Sequence, residues 1–143
     1  MIKTISGSQF PKVVQPLIEQ AKESIDIVIF DWRWYSADPA SSIQLFNQTI
    51  LRAVRRGVKV RVINNSQEII AILKKNGIEA KRFECTKLMH VKLMIIDKNI
   101  VITGSHNYSQ SAFNLNVELS VLITDDSCAS DFNVFFNNLF NQQ

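Results

Sequence analysis

The segment HVKLMIIDKNIVITGSHNYS, residues 90–109, contains two runs of apolar residues on either side of a polar turn. Runs of this length and composition predict two strands, at residues 91–96 and 100–103. The turn at residues 98 and 99 predicts that the two strands form a hairpin. The hairpin brings the end of its second strand back beside the start of its first, so this segment sets the arrangement of the second half of the chain.

Polar side chains stand at both of the ends that this hairpin joins. His90 and Lys92 are two residues apart at the start of a strand, so both side chains leave the same face. Ser105 and Asn107 follow the second strand and can share a site with them. Gly104 lets the backbone pass close to a bound anion. The hairpin therefore predicts a site that combines an imidazole, an ammonium, a hydroxyl and an amide.

The rest of the chain alternates between helical and strand-like patterns. Helices are predicted at residues 8–23, 39–57 and 64–77, and from residue 125 onward. Further strands are predicted at residues 24–35, 58–63, 78–84 and 117–124. Strand and helix alternate in the first half, whereas strands crowd together in the second. This order predicts an α/β fold with a mixed β-sheet flanked by helices.

The composition fits a single domain that spans residues 1–143. With 46% hydrophobic and 20% charged residues, the chain can bury a substantial core. The net charge of +3 permits a polyanionic substrate but is weak evidence for one. The N-terminus lacks the apolar run of a signal peptide, and no segment is long enough to span a bilayer. We therefore expect a cytoplasmic protein.

Six positions of the hairpin segment form the pattern H-x-K-x4-D-x6-G-S-x-N, which occurs once in the chain. The pattern resembles the signature of the phospholipase D superfamily, most closely that of its small bacterial endonucleases with one motif per chain. Residues 25–63 are similar to the first strand, the helix and the second strand of that family, and residues 114–118 to its acidic segment. The resemblance implies a phospholipase D-like α/β sandwich.

The resemblance also implies the chemistry of the site. His90 corresponds to the nucleophile that forms a covalent phosphohistidine, and a neutral imidazole is a competent nucleophile near neutral pH. Lys92 and Asn107 correspond to the groups that hold the phosphate oxygens, with a further hydrogen bond from Ser105. We expect Glu118 to accept a hydrogen bond from the other ring nitrogen of His90 and so to orient the ring.

Asp97 is also part of the catalytic motif, but it lies at the far end of its strand from His90. A role in stabilising the turn or a local network is favoured over proton transfer. His106 occupies a variable position of the pattern, and we expect it to face away from the site. Cys85 and Cys128 match no metal-ligand spacing, so we expect two free thiols, buried or half-buried. No metal and no cofactor are expected, since the lysine and amide groups take their place at the phosphate.

A single copy of the motif has a consequence for assembly. Displacement at a phosphodiester needs an attacking group on one side and an acid on the other. One His90 cannot serve both purposes at once, and in this superfamily two copies of the motif face each other. We therefore expect a homodimer in which His90 of one subunit attacks and the partner subunit's His90 acts as the general acid and base.

Two further groups of residues are candidates for substrate binding. Aromatic residues beside an arginine follow the first long strand, where they could stack on bases or equally lie in the core or a dimer interface; they are Trp32, Arg33, Trp34 and Tyr35. A basic run is either solvated surface or a track for phosphates; it consists of Arg52, Arg55, Arg56, Lys59 and Arg61.

Three functions are compatible with the sequence. The leading one is a metal-independent phosphodiesterase that acts on DNA or RNA as an endonuclease, with an inhibitor or regulatory partner to restrain it. The second is a phospholipid phosphodiesterase of the cardiolipin type, for which a C-terminal apolar set could provide a membrane contact, although core packing explains it more simply. That set is Phe132, Phe135, Phe136, Leu139 and Phe140. The third is a non-catalytic nucleic-acid-binding module, against which the intact motif argues.

Overall fold

The computed structural model describes all 143 residues, which form seven strands, four α-helices and one π-helical segment. The strands are β1 (Ile2–Ser6), β2 (Ser24–Ile29), β3 (Lys59–Asn64), β4 (Glu79–Arg82), β5 (Lys92–Ile96), β6 (Ile100–Gly104) and β7 (Leu119–Ile123). The helices are α1 (Gln9–Glu19), α2 (Ser42–Arg55), α3 (Gln67–Lys75) and α4 (Asp126–Asn141), and the π-helical segment is Ser111–Leu115. Every predicted helix and strand is present, but the strand predicted at residues 24–35 already ends at residue 29.

The strands form one sheet in the order β1-β7-β6-β5-β2-β3-β4. β2, β3 and β4 run parallel to one another, whereas β5, β6, β7 and β1 each pair antiparallel with their neighbours. Helices α1, α2 and α3 pack on one face over the larger core, and α4 packs on the other face over a smaller one. The prediction of an α/β fold with a mixed sheet flanked by helices is therefore confirmed.

β2 lies in the middle of this sheet, and all six of its residues are buried. Asp26 is the charged residue among them, and only 1% of it is exposed. Its carboxylate accepts two hydrogen bonds from the Arg61 guanidinium, at 2.8 and 2.9 Å. This bidentate bond raises the pKa of Arg61, against the opposing effect of burial. The pair lets a carboxylate lie inside the central strand without an unpaired charge.

The basic run on and after α2 is mostly used within the fold. Arg61 is held by Asp26 and lies over the Phe136 ring at 4.8 Å. Arg52 forms an ion pair with Glu19. Arg56 donates to two backbone carbonyls near the end of α1, at 2.9 and 3.1 Å. The interpretation of this run as a phosphate track is wrong for these three arginines, because their guanidinium groups already bind protein acceptors.

Two elements are absent from the sequence-based assignment. β1 pairs antiparallel with β7 at the edge of the sheet, and of its residues only Ile5 is buried. A strand held by one neighbour that is distant in sequence leaves a weak local pattern. The π-helical segment follows the motif and places Phe113 in the larger core. Both elements depend on tertiary contacts more than on local propensity.

The C-terminal phenylalanines belong mainly to the smaller core. Phe136 and Phe140 lie on the buried side of α4 with ring centroids 5.5 Å apart, whereas Phe135 of the same helix is 38% exposed. No helix combines the length and the apolar character that crossing a membrane requires.

Cys128 is half-buried, as expected, but Cys85 is exposed, contrary to the expectation. Cys85 lies in the loop between β4 and β5, where no element covers it.

Candidate active site

The strand register gathers the motif residues at one end of the sheet. Ile29, the last residue of β2, pairs with Lys92, the first residue of β5. Thr103 pairs with Leu93, and the next residue, Gly104, pairs with Ser120 of β7. The start of β5, the end of β6 and the start of β7 therefore meet at one sheet end. The hairpin that the sequence predicts is confirmed.

His90 is exposed just before β5, and Lys92 lies beside it. The Lys92 ammonium is 3.0 Å from Nδ1 and 3.3 Å from Nε2 of the imidazole, and it donates to the His90 carbonyl oxygen at 3.0 Å. An ammonium group can only donate. A neutral imidazole has one nitrogen lone pair, so at most one of the two ring nitrogens accepts from Lys92, and the tautomer decides which one.

The Phe30 ring packs against both His90 and Lys92. Its ring lies 4.5 Å from the His90 ring, centroid to centroid, and 5.3 Å from the Lys92 ammonium. Burial lowers the pKa of Lys92, and the charge of Glu118 opposes that change. Phe30 was not identified from the sequence, because it ends an apolar strand and has the pattern of a core residue. The only sequence signal for it is its position at the carboxyl end of β2.

Ser105 and Glu118 form a second polar group at the same end of the sheet. The Ser105 hydroxyl donates to Oε1 of Glu118 at 2.5 Å and accepts the backbone N–H of Leu119 at 2.9 Å. Asn116 donates to the other carboxylate oxygen at 3.0 Å. The expected hydrogen bond between Glu118 and His90 does not form within the chain. Glu118 instead accepts hydrogen bonds from Ser105, after β6, and from Asn116, just before β7.

Asn107 is held by the segment that follows β2. Its side-chain oxygen accepts the backbone N–H of Asp31 at 3.3 Å, while its amide nitrogen has no partner within the chain. The next residue, Tyr108, is buried and forms an isolated bridge with Trp32. Burial raises the pKa of the Tyr108 phenol. Asn107 is therefore anchored on one side and leaves an N–H donor free for a substrate oxygen.

Gly104 has a packing role that the sequence did not reveal. A Cβ at this position would lie 2.4 Å from Cα and 2.5 Å from Oγ of Ser120, and 2.6 Å from the carbonyl oxygen of Leu119. No side chain fits at these distances, because backbone atoms of β7 occupy the space. Contact with β7, and not the expected approach to a bound anion, therefore excludes a side chain at residue 104.

Asp97 and His106 both lie away from the candidate site. Asp97 follows β5 at the opposite end of the sheet and accepts backbone N–H groups from residues 22, 23 and 24. Burial acts to raise the pKa of Asp97, but these N–H groups outweigh it and the pKa is lowered. His106 is buried, stacks on Phe10 at 4.5 Å and contacts Ser120 and the carbonyl of Gly7. The structure thus places Asp97 in a local backbone network and turns His106 into the core.

The four candidates after β2 have different environments. Trp32 is 1% exposed, and its indole N–H donates to Asn47 at 2.6 Å, which agrees with the core alternative for this residue. Arg33 forms an ion pair with Asp31 at 3.0 Å. Trp34 is half-buried and Tyr35 is 41% exposed. Trp34 and Tyr35 line a cleft of about 360 Å³ next to Phe30.

The site thus presents an exposed imidazole, an ammonium and a free amide donor at one end of a mixed sheet. Residues 14–140 match the family model described as "Cardiolipin synthase, PLD-like domain". Because the match covers most of the chain, this protein belongs to the phospholipase D-like domain family. The resemblance to the phospholipase D superfamily is therefore confirmed.

Individual relatives and structures agree with this membership. The chain is 36% identical over 114 residues to human mitochondrial cardiolipin hydrolase. This alignment covers 74% of this chain and 40% of the relative. It is 32% identical over 127 residues to a phospholipase D of Rickettsia prowazekii, covering 85% and 58%. The chain thus spans about half the length of these curated relatives.

A solved structure shows the same fold over nearly its whole length. Nuc of Salmonella typhimurium, described as a phospholipase D family member, superposes with a TM-score of 0.81 at 22% sequence identity. The superposition covers 99% of this chain and 96% of that chain. The two chains therefore share one fold.

Proposed function

We propose that this protein is a metal-independent phosphodiesterase that cleaves nucleic acid as a homodimer. The observation that carries the proposal is the exposed His90 imidazole in contact with the Lys92 ammonium, with the free amide of Asn107 at the same end of the sheet. Donors of this kind stabilise charge on phosphate oxygens as a nucleophile attacks phosphorus. When a phosphodiester binds, Lys92 exchanges its contact with the imidazole for a contact with phosphate oxygen.

The reaction proceeds in two displacements. A ring nitrogen of His90 forms a bond to phosphorus, the bond from phosphorus to the leaving oxygen breaks, and the partner subunit's His90 protonates that oxygen. The partner subunit's His90, now neutral, takes a proton from water. The water oxygen then bonds to phosphorus and the phosphorus–nitrogen bond breaks, which returns both imidazoles to their starting states.

A dimer is part of the proposal because each chain supplies a single motif imidazole. The segment beside Glu118 has the exposed apolar side chains that an isologous interface requires. Leu115 is 80% exposed, Val117 is fully exposed and Leu119 is 56% exposed. These residues flank the candidate site, so pairing through them supports a second His90 close to the first.

Nucleic acid is the favoured substrate for two reasons. The single motif resembles that of the small endonucleases of the superfamily with one motif per chain, and Nuc shares the fold over 99% of this chain. Beside His90 lies a cleft that contains exposed or half-buried aromatic residues, and aromatic rings bind unpaired bases by stacking. The net charge of +3 is compatible with a polyanion.

A phospholipid is the second candidate substrate. The names of the relatives, cardiolipin hydrolase and phospholipase D, point to lipids. An open groove of about 280 Å³ lies beside the start of β5, and its apolar lining includes Val91, Leu93, Phe132 and Phe135. A groove of this kind suits an acyl chain. The third candidate, binding without cleavage, predicts that the His90 imidazole can be removed without consequence.

One assay separates the three candidates. Purified protein in excess EDTA is offered single-stranded DNA, double-stranded DNA, RNA, cardiolipin vesicles and phosphatidylcholine vesicles, beside His90→Asn as the control. The proposal expects nucleic acid cleavage that His90→Asn abolishes, and a phosphate adduct on the His90 peptide after an alkaline quench. Lipid turnover without nucleic acid cleavage would establish the second candidate, and binding without turnover the third.

A further inference from the structure

A cleft of about 360 Å³ opens between the segment that follows β2 and the first turn of α3. Aromatic and aliphatic side chains line much of it, and polar side chains stand among them on both sides. The residues that matter for binding are Phe30, Trp34, Tyr35, Ser66, Glu68 and Ile69. A planar ligand with apolar faces and a polar edge matches this mixed lining.

The cleft adjoins the candidate active site through Phe30. Phe30 lines the cleft, and its ring lies 4.5 Å from the His90 ring, centroid to centroid. Asn65 donates to the carbonyl oxygens of Phe30 and Met89 at 3.1 and 3.2 Å. These bonds fix the residue before His90 to the start of α3. A ligand in the cleft therefore has a defined position relative to the imidazole.

Most polar groups that line the cleft are already engaged. Asp31 and Arg33 form an ion pair at 3.0 Å. The Ser66 hydroxyl accepts the backbone N–H of Ile69 as the cap of α3, and Asn64 is bonded through both side-chain atoms. The Glu68 carboxylate makes no hydrogen bond or ion pair within the chain and is exposed. Glu68 is therefore a free acceptor at the α3 side of the cleft.

We propose that this cleft binds a guanine base of a single-stranded substrate and that Glu68 selects it, which rests on the proposed cleavage of nucleic acid. A carboxylate has two acceptor oxygens and no donor. Guanine presents two adjacent N–H donors, at N1 and N2, and so forms a bidentate pair with a carboxylate. Adenine and cytosine present a donor beside an acceptor, and uracil and thymine flank one N–H with two carbonyls. The exposed or half-buried rings of Tyr35 and Trp34 provide stacking surfaces.

The test uses single-stranded oligothymidylates in which one thymine is replaced by guanine, adenine or cytosine, with cleavage mapped on each. The full chain is compared with Glu68→Gln and with Glu79→Gln, which removes the same charge from an exposed position of β4. Bis(p-nitrophenyl) phosphate, which has no base edge, reports the chemical step alone. A bidentate pair corresponds to about tenfold or greater discrimination in kcat/KM.

The expected result is a guanine preference of about tenfold that falls to about twofold or less in Glu68→Gln and persists in Glu79→Gln. Turnover of bis(p-nitrophenyl) phosphate stays the same in all three proteins. Equal cleavage beside every base in the full chain, or a preference that Glu68→Gln retains, overturns the assignment of the cleft. Hydrolysis of bis(p-nitrophenyl) phosphate without cleavage of any oligonucleotide refutes the proposed function instead.

Discussion

Ser105 donates its hydroxyl proton to Glu118 at 2.5 Å, and the same oxygen accepts the backbone N–H of Leu119 at 2.9 Å. A hydroxyl has one proton. The proton of Ser105 is therefore directed at a carboxylate and is not free for a phosphate oxygen. Ser105 acts as a positioning residue for the loop after β6, in contrast to Lys92, which points to the imidazole.

This difference predicts unequal losses of activity. Ser105→Ala is expected to lower kcat/KM by about tenfold, because it loosens the loop that carries Asn107 without removing a phosphate donor. Lys92→Ala is expected to lower it by about a hundredfold or more, since it removes charge stabilisation at the reacting phosphate. Steady-state kinetics on one oligonucleotide measure both. Equal losses in the two variants would show that Ser105 also donates to the substrate.

Gly104→Ala is expected to destabilise the fold. The added Cβ would lie 2.4 Å from the Cα of Ser120, so β6 and β7 would have to separate. Overpacking of this kind costs about 1–3 kcal/mol of unfolding free energy. Denaturant unfolding measures the loss, with Gly7→Ala as the matched control, since a Cβ at Gly7 has nothing within 4 Å. Both glycines have a positive φ, +47° at Gly7 and +155° at Gly104. An L residue tolerates the first far better than the second, so the difference between the two variants contains the clash with β7 together with the greater backbone strain at residue 104.

Val117→Asp is expected to weaken the proposed homodimer and to lower activity with it. Val117 is fully exposed beside the candidate site, and a carboxylate at an isologous contact would face its own copy. The dissociation constant should rise by about tenfold or more. Sedimentation velocity across a dilution series measures it, and Val134→Asp on α4, 56% exposed, makes the same change elsewhere. A monomeric chain with full activity would contradict the two-imidazole mechanism.

Elements with strong local patterns could be predicted from the sequence. The β5–β6 hairpin was clear because apolar runs flank a polar turn, and α2 was clear because its apolar face repeats with helical period. β1 was not, since its pairing with β7 lies more than a hundred residues away in the chain. Hydrophobic periodicity reports burial on one face and does not report such a partner.

The candidate site could be predicted only as a set of residues. The motif identified His90 and Lys92, and the register confirms that they share a sheet end with Ser105. The spacing of the motif does not predict which residue each side chain hydrogen-bonds. Glu118 binds Ser105 because the segment that leads into β7 directs it there, and the position of β7 depends on its close contact with Gly104 at Ser120.

Asp97 is expected to stabilise the fold above pH 4 and to lose that contribution in acid. Three backbone N–H groups at the start of β2 lower the pKa of Asp97 below its ordinary value of about 3.9. A lowered folded-state pKa means that the unfolded chain binds the proton first. The stabilisation is therefore complete above the unfolded pKa and disappears as the pH falls through the folded pKa.

Thermal unfolding of Asp97→Asn between pH 2 and pH 7 tests this expectation. The variant should unfold at a lower temperature than the wild type at neutral pH, and the two should converge near the acid limit. Asp38→Asn is the control, because the Asp38 carboxylate is exposed and makes no hydrogen bond within the chain. A constant difference across the whole pH range would assign the effect to size or packing instead of charge.

His106 is expected to make the fold less stable as the pH falls, in a higher pH range than the one in which Asp97 acts. Burial lowers the pKa of His106, while the Gly7 carbonyl and Glu118 act in the opposite direction. The Gly7 carbonyl is an acceptor only, so Nε2 carries the proton of the neutral ring and Nδ1 accepts from Ser120. The unfolded chain then binds more protons than the folded one between the lowered pKa and about 6.5, so the melting temperature drops as the pH falls through that interval. His106→Gln should have a lower melting temperature at pH 7 and a flatter dependence of the melting temperature on pH. A variant that keeps the pH dependence of the wild type would contradict this role of His106.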